Sequence, residues 1–212
     1  MSVVPVDLKA LAPYIKRAEE LEKDGRPESS VVAYYCRQYA MELGIELRER
    51  ATDPAAVGHY LLSLIEDLEG AKATLGVSRD EGEQIVYKFA MEVFGRADAE
   101  DRNGSAGKAT ARTFYAASLF MEALKQFGDR GDEVDEKCRY AKWKAADILK
   151  AIKEGRAPTP GGPNEDGADK SDAERGPTVH DIPAAPSSIP AAPTSEPTFP
   201  EPTFPEPTFP EP

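Results

Sequence analysis

The residues of this 212-residue chain whose types could do chemistry are few and badly spaced for it. Gly104-Ser-Ala-Gly-Lys108 has the outline of a phosphate loop, but that loop needs four residues between its glycines and a hydroxyl side chain straight after the lysine. Here Ser105 and Ala106 alone intervene, Ala109 follows Lys108, and a helical pattern precedes the stretch where the motif would follow a strand. The two histidines, His59 and His180, lie far apart, and neither Cys36 nor Cys138 has a cysteine or histidine partner at zinc-ligand spacing. No metal or cofactor is therefore expected. A Cys-His nucleophile pair has no supporting signature, and both cysteines sit inside amphipathic helical patterns, as buried thiols of a reducing compartment do. Charged clusters at Glu19, Glu20 and Glu22, and at Asp98, Glu100, Asp101 and Arg102, read as solvated helix faces and caps rather than acid/base pairs. The expectation is a protein that is not an enzyme and works through its surface.

The elements that must carry that surface read as helices, because apolar residues recur at spacings of three and four with start and stop signals between the runs. Helices are expected over about 7–23 and 28–50. A third opens with Asp53 as N-cap and Pro54 at its first position and ends before Gly76, and a fourth opens with the capping box Ser78 and Glu81. A polar break over 98–107 precedes a fifth helix at about 108–127, and a sixth covers about 132–154. Strand signals are absent. Sliding the chain against itself by 80 positions pairs Ala10, Tyr35, Met41, Glu42, Arg50 and Tyr60 with Ala90, Tyr115, Met121, Glu122, Arg130 and Tyr140. Tyr14, Tyr34 and Leu68 pair conservatively with Phe94, Phe114 and Ile148. The economical reading is an all-α fold of two three-helix units, 1–77 and 78–156.

Of the 19 prolines, 15 lie beyond Ala157, so residues 157–212 are expected to be a disordered, acidic, Pro-rich tail. Through Ala157 there are 24 basic and 28 acidic residues; beyond it there are 2 and 10. With a net charge of −12 and no local basic patch, nucleic acid is excluded as a direct partner, and a membrane is reached only through another protein. Neither a leader segment nor a bilayer-spanning apolar run is read, which gives a cytoplasmic expectation. The tail ends in three copies of Glu-Pro-Thr-Phe-Pro. It reads first as a solvated linker; the sharper reading is a weak multivalent ligand for an aromatic-lined groove, anchored by Phe199, Phe204 and Phe209.

The third helix carries more apolar positions than one stripe needs, Tyr60, Leu61, Leu62, Leu64, Ile65 and Leu68, so part of the arc is free to meet a partner helix. The segment Val31-Val-Ala-Tyr-Tyr-Cys-Arg-Gln-Tyr-Ala-Met41 closely resembles the N-terminal signature of the Vta/LYST-interacting-protein-five family. Ala97-Asp-Ala-Glu-Asp-Arg-Asn-Gly104 with Phe114-Tyr-Ala-Ala-Ser-Leu119 is similar to its central segment. Tyr140-Ala-Lys-Trp-Lys-Ala-Ala-Asp-Ile148 with Lys153-Glu-Gly-Arg-Ala-Pro-Thr-Pro160 is similar to its third.

The resemblance implies tandem MIT modules packed into one N-terminal helical domain. It also implies binding of the C-terminal helices of ESCRT-III subunits in multivesicular-body sorting at endosomes, as a cofactor of the AAA ATPase that disassembles ESCRT-III. Carried over by position, Leu61, Ile65 and Leu68 would contact a partner in the groove between helices two and three, and Trp143 would anchor one on the second module. The family's C-terminal ATPase-binding domain has no counterpart in these 212 residues, so ATPase contact is expected only through a domain absent here. The competing readings are a peptide-binding scaffold of the tetratricopeptide type, disfavoured by the 80-residue offset, and a helical enzyme without a recognisable motif.

Overall fold

The computed structural model of the chain describes residues 4–162. Every regular element among them is helical: α1 Ala12–Glu22, α2 Pro27–Arg48, α3 Pro54–Leu75, α4 Arg79–Arg102, α5 Lys108–Ala123 and α6 Gly131–Lys153, with 3-10 turns at Val6–Leu11 and Leu124–Phe127. The disordered tail expected from residue 157 does not begin there: residues 157–162 are placed against the helical body, Thr159 and Gly161 bonded to Lys144 and Asp101, while 163–212, with His180, Phe199, Phe204 and Phe209, lie outside the described residues.

The expected start and stop signals act where they stand. The Asp53 carboxylate accepts the Ala56 N–H at 3.0 Å, and Gly76 ends α3 at φ +63 in the left-handed region that a side chain would resist. Ser78 and Glu81 close a reciprocal capping box at the start of α4. Two boundaries differ from the sequence reading. The run expected over 7–23 splits, because Pro13 lies at the start of α1 and has no N–H to continue a helix from before it. Asp7, ahead of the split, accepts N–H bonds from Thr52 and Asp53, which holds its carboxyl below the usual range and ties the N-terminal turn to the start of α3.

The second difference lies in the polar break expected over 98–107, where α4 continues to Arg102. Asp98 and Arg102 pair across one turn at 2.7 Å, and Asp101 faces inward rather than into solvent.

Short connections make antiparallel neighbours within each half, α2 packing between α1 and α3 and α5 between α4 and α6, while α4 meets α2 rather than α3. The buried side chains form two clusters, and α2 runs through both. Its N-terminal half, Val31, Val32, Ala33, Tyr35 and Cys36, joins the cluster built by α4, α5 and α6. Tyr39 and Ala40 join the cluster of α1 and α3, to which α5 contributes Leu119 and Ala123. The junction also has a polar strut. The Tyr14 hydroxyl on α1 donates to Glu122 of α5 at 2.8 Å, and Lys142 of α6 holds the other oxygen of Glu122 at 2.6 Å. Burial and that carboxylate push the Tyr14 hydroxyl well up, so it remains a donor.

Gly82 sets how closely α2 and α4 approach. A Cβ there would lie 2.2 Å from the Tyr35 hydroxyl oxygen and 2.3 Å from its ring. That ring is wedged between Tyr34, at 5.1 Å, and Phe127, at 4.8 Å, and cannot swing away. Gly82→Ala is expected to cost about 1–3 kcal/mol by overpacking, read as a lower urea midpoint at unchanged slope. Gly95→Ala, on the same helix with nothing near its Cβ position, is expected to be neutral or stabilising by up to about 1 kcal/mol. Burial raises the Cys36 thiol to about 12, so the native protein at pH 8 is expected to leave Cys36 unmodified by a thiol reagent that labels it at once in denaturant.

Candidate functional site

The residues with chemical potential are accounted for by structure. Ser105 donates its hydroxyl and its N–H to the Glu100 carbonyl, and the Gly107 N–H donates to Thr110 Oγ1, so the glycine loop spends its polar groups on joining α4 to α5. His59 is exposed on α3 while Cys36 is sealed in the core. Among the described residues no group of three His, Cys, Asp or Glu side chains is placed to hold a metal ion. The carboxylates that partners displace, Asp7, Asp24, Glu81 and Glu133, are all shifted downward, Asp7 and Glu81 chiefly by backbone N–H groups, Asp24 by the Ser29 hydroxyl and Glu133 by Lys137. That is the signature of structural hydrogen bonds, not of a general acid held ready.

The surface is more informative. At Gly44 the missing side chain lets α3 close onto α2: a Cβ would sit 2.6 Å from Leu61 Cδ2 and 3.0 Å from Leu11 Cδ2. In an antiparallel helix pair, the residues that follow two facing positions rotate to the same side. Those residues are Ile45 and Leu62, 52% and 61% exposed. Met41, one turn before Ile45, and Ile65, one turn after Leu62, are partly exposed and complete an apolar stripe along the α2–α3 face.

Of the residues expected in this groove, Ile65 lies on the stripe. Leu61 and Leu68 are 5% and 6% exposed and pack with Leu64 in the core beneath it. Leu62 and Ile45, the two exposed members of the stripe, are not singled out by the sequence reading. Leu62 falls within the broad apolar arc of the third helix and Ile45 outside the residues named there; the signal for both is an apolar residue one step off the inward-facing register.

Trp143 is partly exposed on α6 beside Tyr140, at 5.9 Å between ring centroids. Tyr140 in turn packs edge-on against Phe94 of α4 and Phe114 of α5, both at 6.0 Å. The aromatic row therefore runs from the core to the surface and ends at Trp143. A separate groove of about 500 Å³ opens where the N-terminal part of α2, the end of α3 and the start of α4 meet, floored by Val31, Tyr34, Leu75 and Ile85 and rimmed by Glu28 and Arg37. Arg37 is itself engaged by both oxygens of Glu22. No described helix is long and apolar enough to cross a membrane.

These faces lie within a stretch with known relatives. The chain matches the family described as Vta1 like over residues 10–154. A relative from Arabidopsis thaliana, named as a homolog of mammalian LYST-interacting protein 5, is 48% identical over 170 residues, covering 80% of this chain and 39% of the relative. A vacuolar protein sorting-associated protein VTA1 homolog from Dictyostelium discoideum is 37% identical over 166 residues, covering 76% of this chain and 29% of its own length. The protein of the same name from Bos taurus is 33% identical over 178 residues, covering 81% and 56%. This chain thus spans well under two thirds of the length of each of these relatives. Since the family match reaches from the N-terminal turn to the end of α6 and takes in all six helices and both candidate faces, the chain belongs to the Vta1-like family.

Proposed function

We propose that this chain is a non-enzymatic adaptor in vesicular protein sorting that binds C-terminal helices of ESCRT-III subunits through its helical surface. The observation that carries the proposal is the apolar stripe of Met41, Ile45, Leu62 and Ile65, two of whose members are more than half exposed on a highly charged protein. A stripe two helices wide fits the apolar edge of an amphipathic helix, whose anchors recur at three and four residues. The names of the relatives, which place them in vacuolar protein sorting or as LYST-interacting homologs, support the same pathway. In this reading the chain is cytoplasmic, is recruited to endosomal membranes by its partners, and touches neither nucleic acid nor lipid directly.

The reading includes two MIT-type modules, 1–77 and 78–156, packed together. The bounds of the helices support it: shifted by 80 positions, α2 at Pro27–Arg48 overlies α5 with its 3-10 turn, Lys108–Phe127, and α3 at Pro54–Leu75 overlies α6 at Gly131–Lys153. Leu61, Ile65 and Leu68 shape the first face, Ile65 by contact and the two leucines from beneath. Trp143 serves the second. Cofactor action on the AAA ATPase belongs, in this reading, to parts of the relatives that these residues do not span.

Titration calorimetry of the chain against C-terminal peptides of each ESCRT-III subunit is expected to give dissociation constants in the micromolar range or below. Leu62→Asp alters a side chain already in water and leaves folding intact. It is expected to weaken binding at the first face by about 2 kcal/mol, roughly thirtyfold, with Ile65→Asp acting in the same direction. Trp143→Ala is expected to weaken a different subset of peptides. Failure of every peptide to bind would remove the ESCRT-III reading and leave the family membership standing.

A further inference from the structure

Asp101 on α4 and Lys144 on α6 are both 0% exposed, and their charged atoms meet at 3.0 Å. Neither helix buries them unaided. After α6 the chain turns through Gly155, at φ +73, with the Arg156 N–H bonded to the Ala151 carbonyl, and residues 157–162 come back across the ends of both helices. Lys144 Nζ donates to the Thr159 carbonyl at 2.5 Å and to the Gly161 carbonyl at 2.8 Å, while the Gly161 N–H donates to Asp101 at 2.9 Å. With the segment seated, an ammonium that has three N–H donors has three oxygen partners. Gly162 lies against the Tyr140 ring, 3.7 Å from the position a Cβ would take, and Lys144 Nζ sits 5.5 Å from the centroid of the Trp143 ring.

We propose that residues 157–162 are an autoinhibitory strap, clamped by the buried Asp101 and Lys144 pair, which covers the Tyr140 side of the aromatic row and competes with partners for the face that the partly exposed Trp143 ends. The proposal rests on the reading of Trp143 as a partner-binding residue. The clamp makes the strap a two-state element. A buried ion pair is costly unless its protons and lone pairs are largely engaged, and with Asp101 Oδ1 already unpartnered, withdrawing the two carbonyls and the N–H from Lys144 and Asp101 Oδ2 favours admitting water to both charges together. Intermediate positions, with one carbonyl withdrawn and the other seated, keep the desolvation cost without the bonds that offset it. A partner competing for this face opens the strap completely or does not enter.

Gly161→Pro separates the strap from the helical body. Gly161 has φ +89, and proline fixes φ near −65° and lacks the N–H that Asp101 accepts. Trp143 is the single tryptophan of the chain, so its emission reports the strap directly. The full chain carrying Gly161→Pro, with helical circular dichroism retained, is expected to show red-shifted emission, steeper acrylamide quenching, and at least about fivefold tighter binding of those ESCRT-III peptides that Trp143→Ala weakens. If this variant fails to fold, Asp101→Leu combined with Lys144→Met removes both clamp charges at similar volume. Faster exchange of the Gly161 amide then reports opening, and the same gain in affinity is expected.

Unchanged emission and exchange in folded variants would overturn the strap. Opening without a gain in affinity, where Trp143→Ala still weakens the wild type, would overturn the inhibitory role while leaving the adaptor reading intact. Absence of peptide binding in both closed and open forms would overturn the two together.

Discussion

The close approach of α2 to α4 is the constraint on which the rest of the structure depends. It holds because Gly82 offers no side chain where the Tyr35 ring must pass. Once the two helices meet there, the N-terminal half of α2 is committed to the cluster formed with α4, α5 and α6, while its middle still packs between α1 and α3. Three helices thus belong to both cores, α2 with α1, through Ala18 and Leu21 beside Tyr14 and Ile15, and α5, through Phe120 beside Leu119 and Ala123, and six helices behave as a single body. An assembly of two independently buried three-helix bundles would need no such shared element.

Polar groups also enter at the seams between helices, where most of them find a partner. Glu122 is held between Tyr14 of α1 and Lys142 of α6. Arg37 is engaged by Glu22 across α1 and α2. Lys144 is completed by two carbonyls of residues 157–162, and Asp101 Oδ2 accepts the Gly161 N–H while its Oδ1 stays without a hydrogen-bond partner. Glu22 and Lys142 keep 45% and 34% side-chain exposure, and of these pairs only Asp101–Lys144 is fully buried; buried ion pairs contribute little net stability compared with apolar packing, but they discriminate strongly against arrangements in which one member is left alone. In this protein they sit at the seams: between α1 and α2, between the two clusters, and between α6 and the chain that follows it.

What remains at the surface is chemically quiet and geometrically specific. The displaced carboxylates are caps and exposed ion pairs, and the Cys36 thiol is far from ionising at neutral pH. The apolar stripe on α2 and α3 lies beside the cluster that holds Met41, and the aromatic row ending at Trp143 starts from Phe94, Phe114 and Tyr140 of the other. A surface with these properties suits recognition of helices by shape and apolar contact, with charge setting orientation and rate.

Helix count, caps and order could be read from the chain alone, because each is decided by residues within a turn of one another. Asp53 with Pro54, Ser78 with Glu81, and Gly76 after Leu75 act locally and needed no tertiary context. The family resemblance was legible for the same reason, being carried by contiguous blocks. The inward role of Asp101 was not: beside Asp98, Glu100 and Arg102 it looks like another solvated charge, and only Lys144, distant in sequence, distinguishes it. The seating of residues 157–162 was hidden in the same way, since proline and glycine near the start of a low-complexity stretch carry no local sign that a buried ammonium will hold their carbonyls. Which apolar residues of α3 face water was likewise undecided, because the helical period gives only relative angles. The absolute orientation is set by Gly44 against Leu61, and packing between helices is a property of pairs that no single stretch of sequence contains.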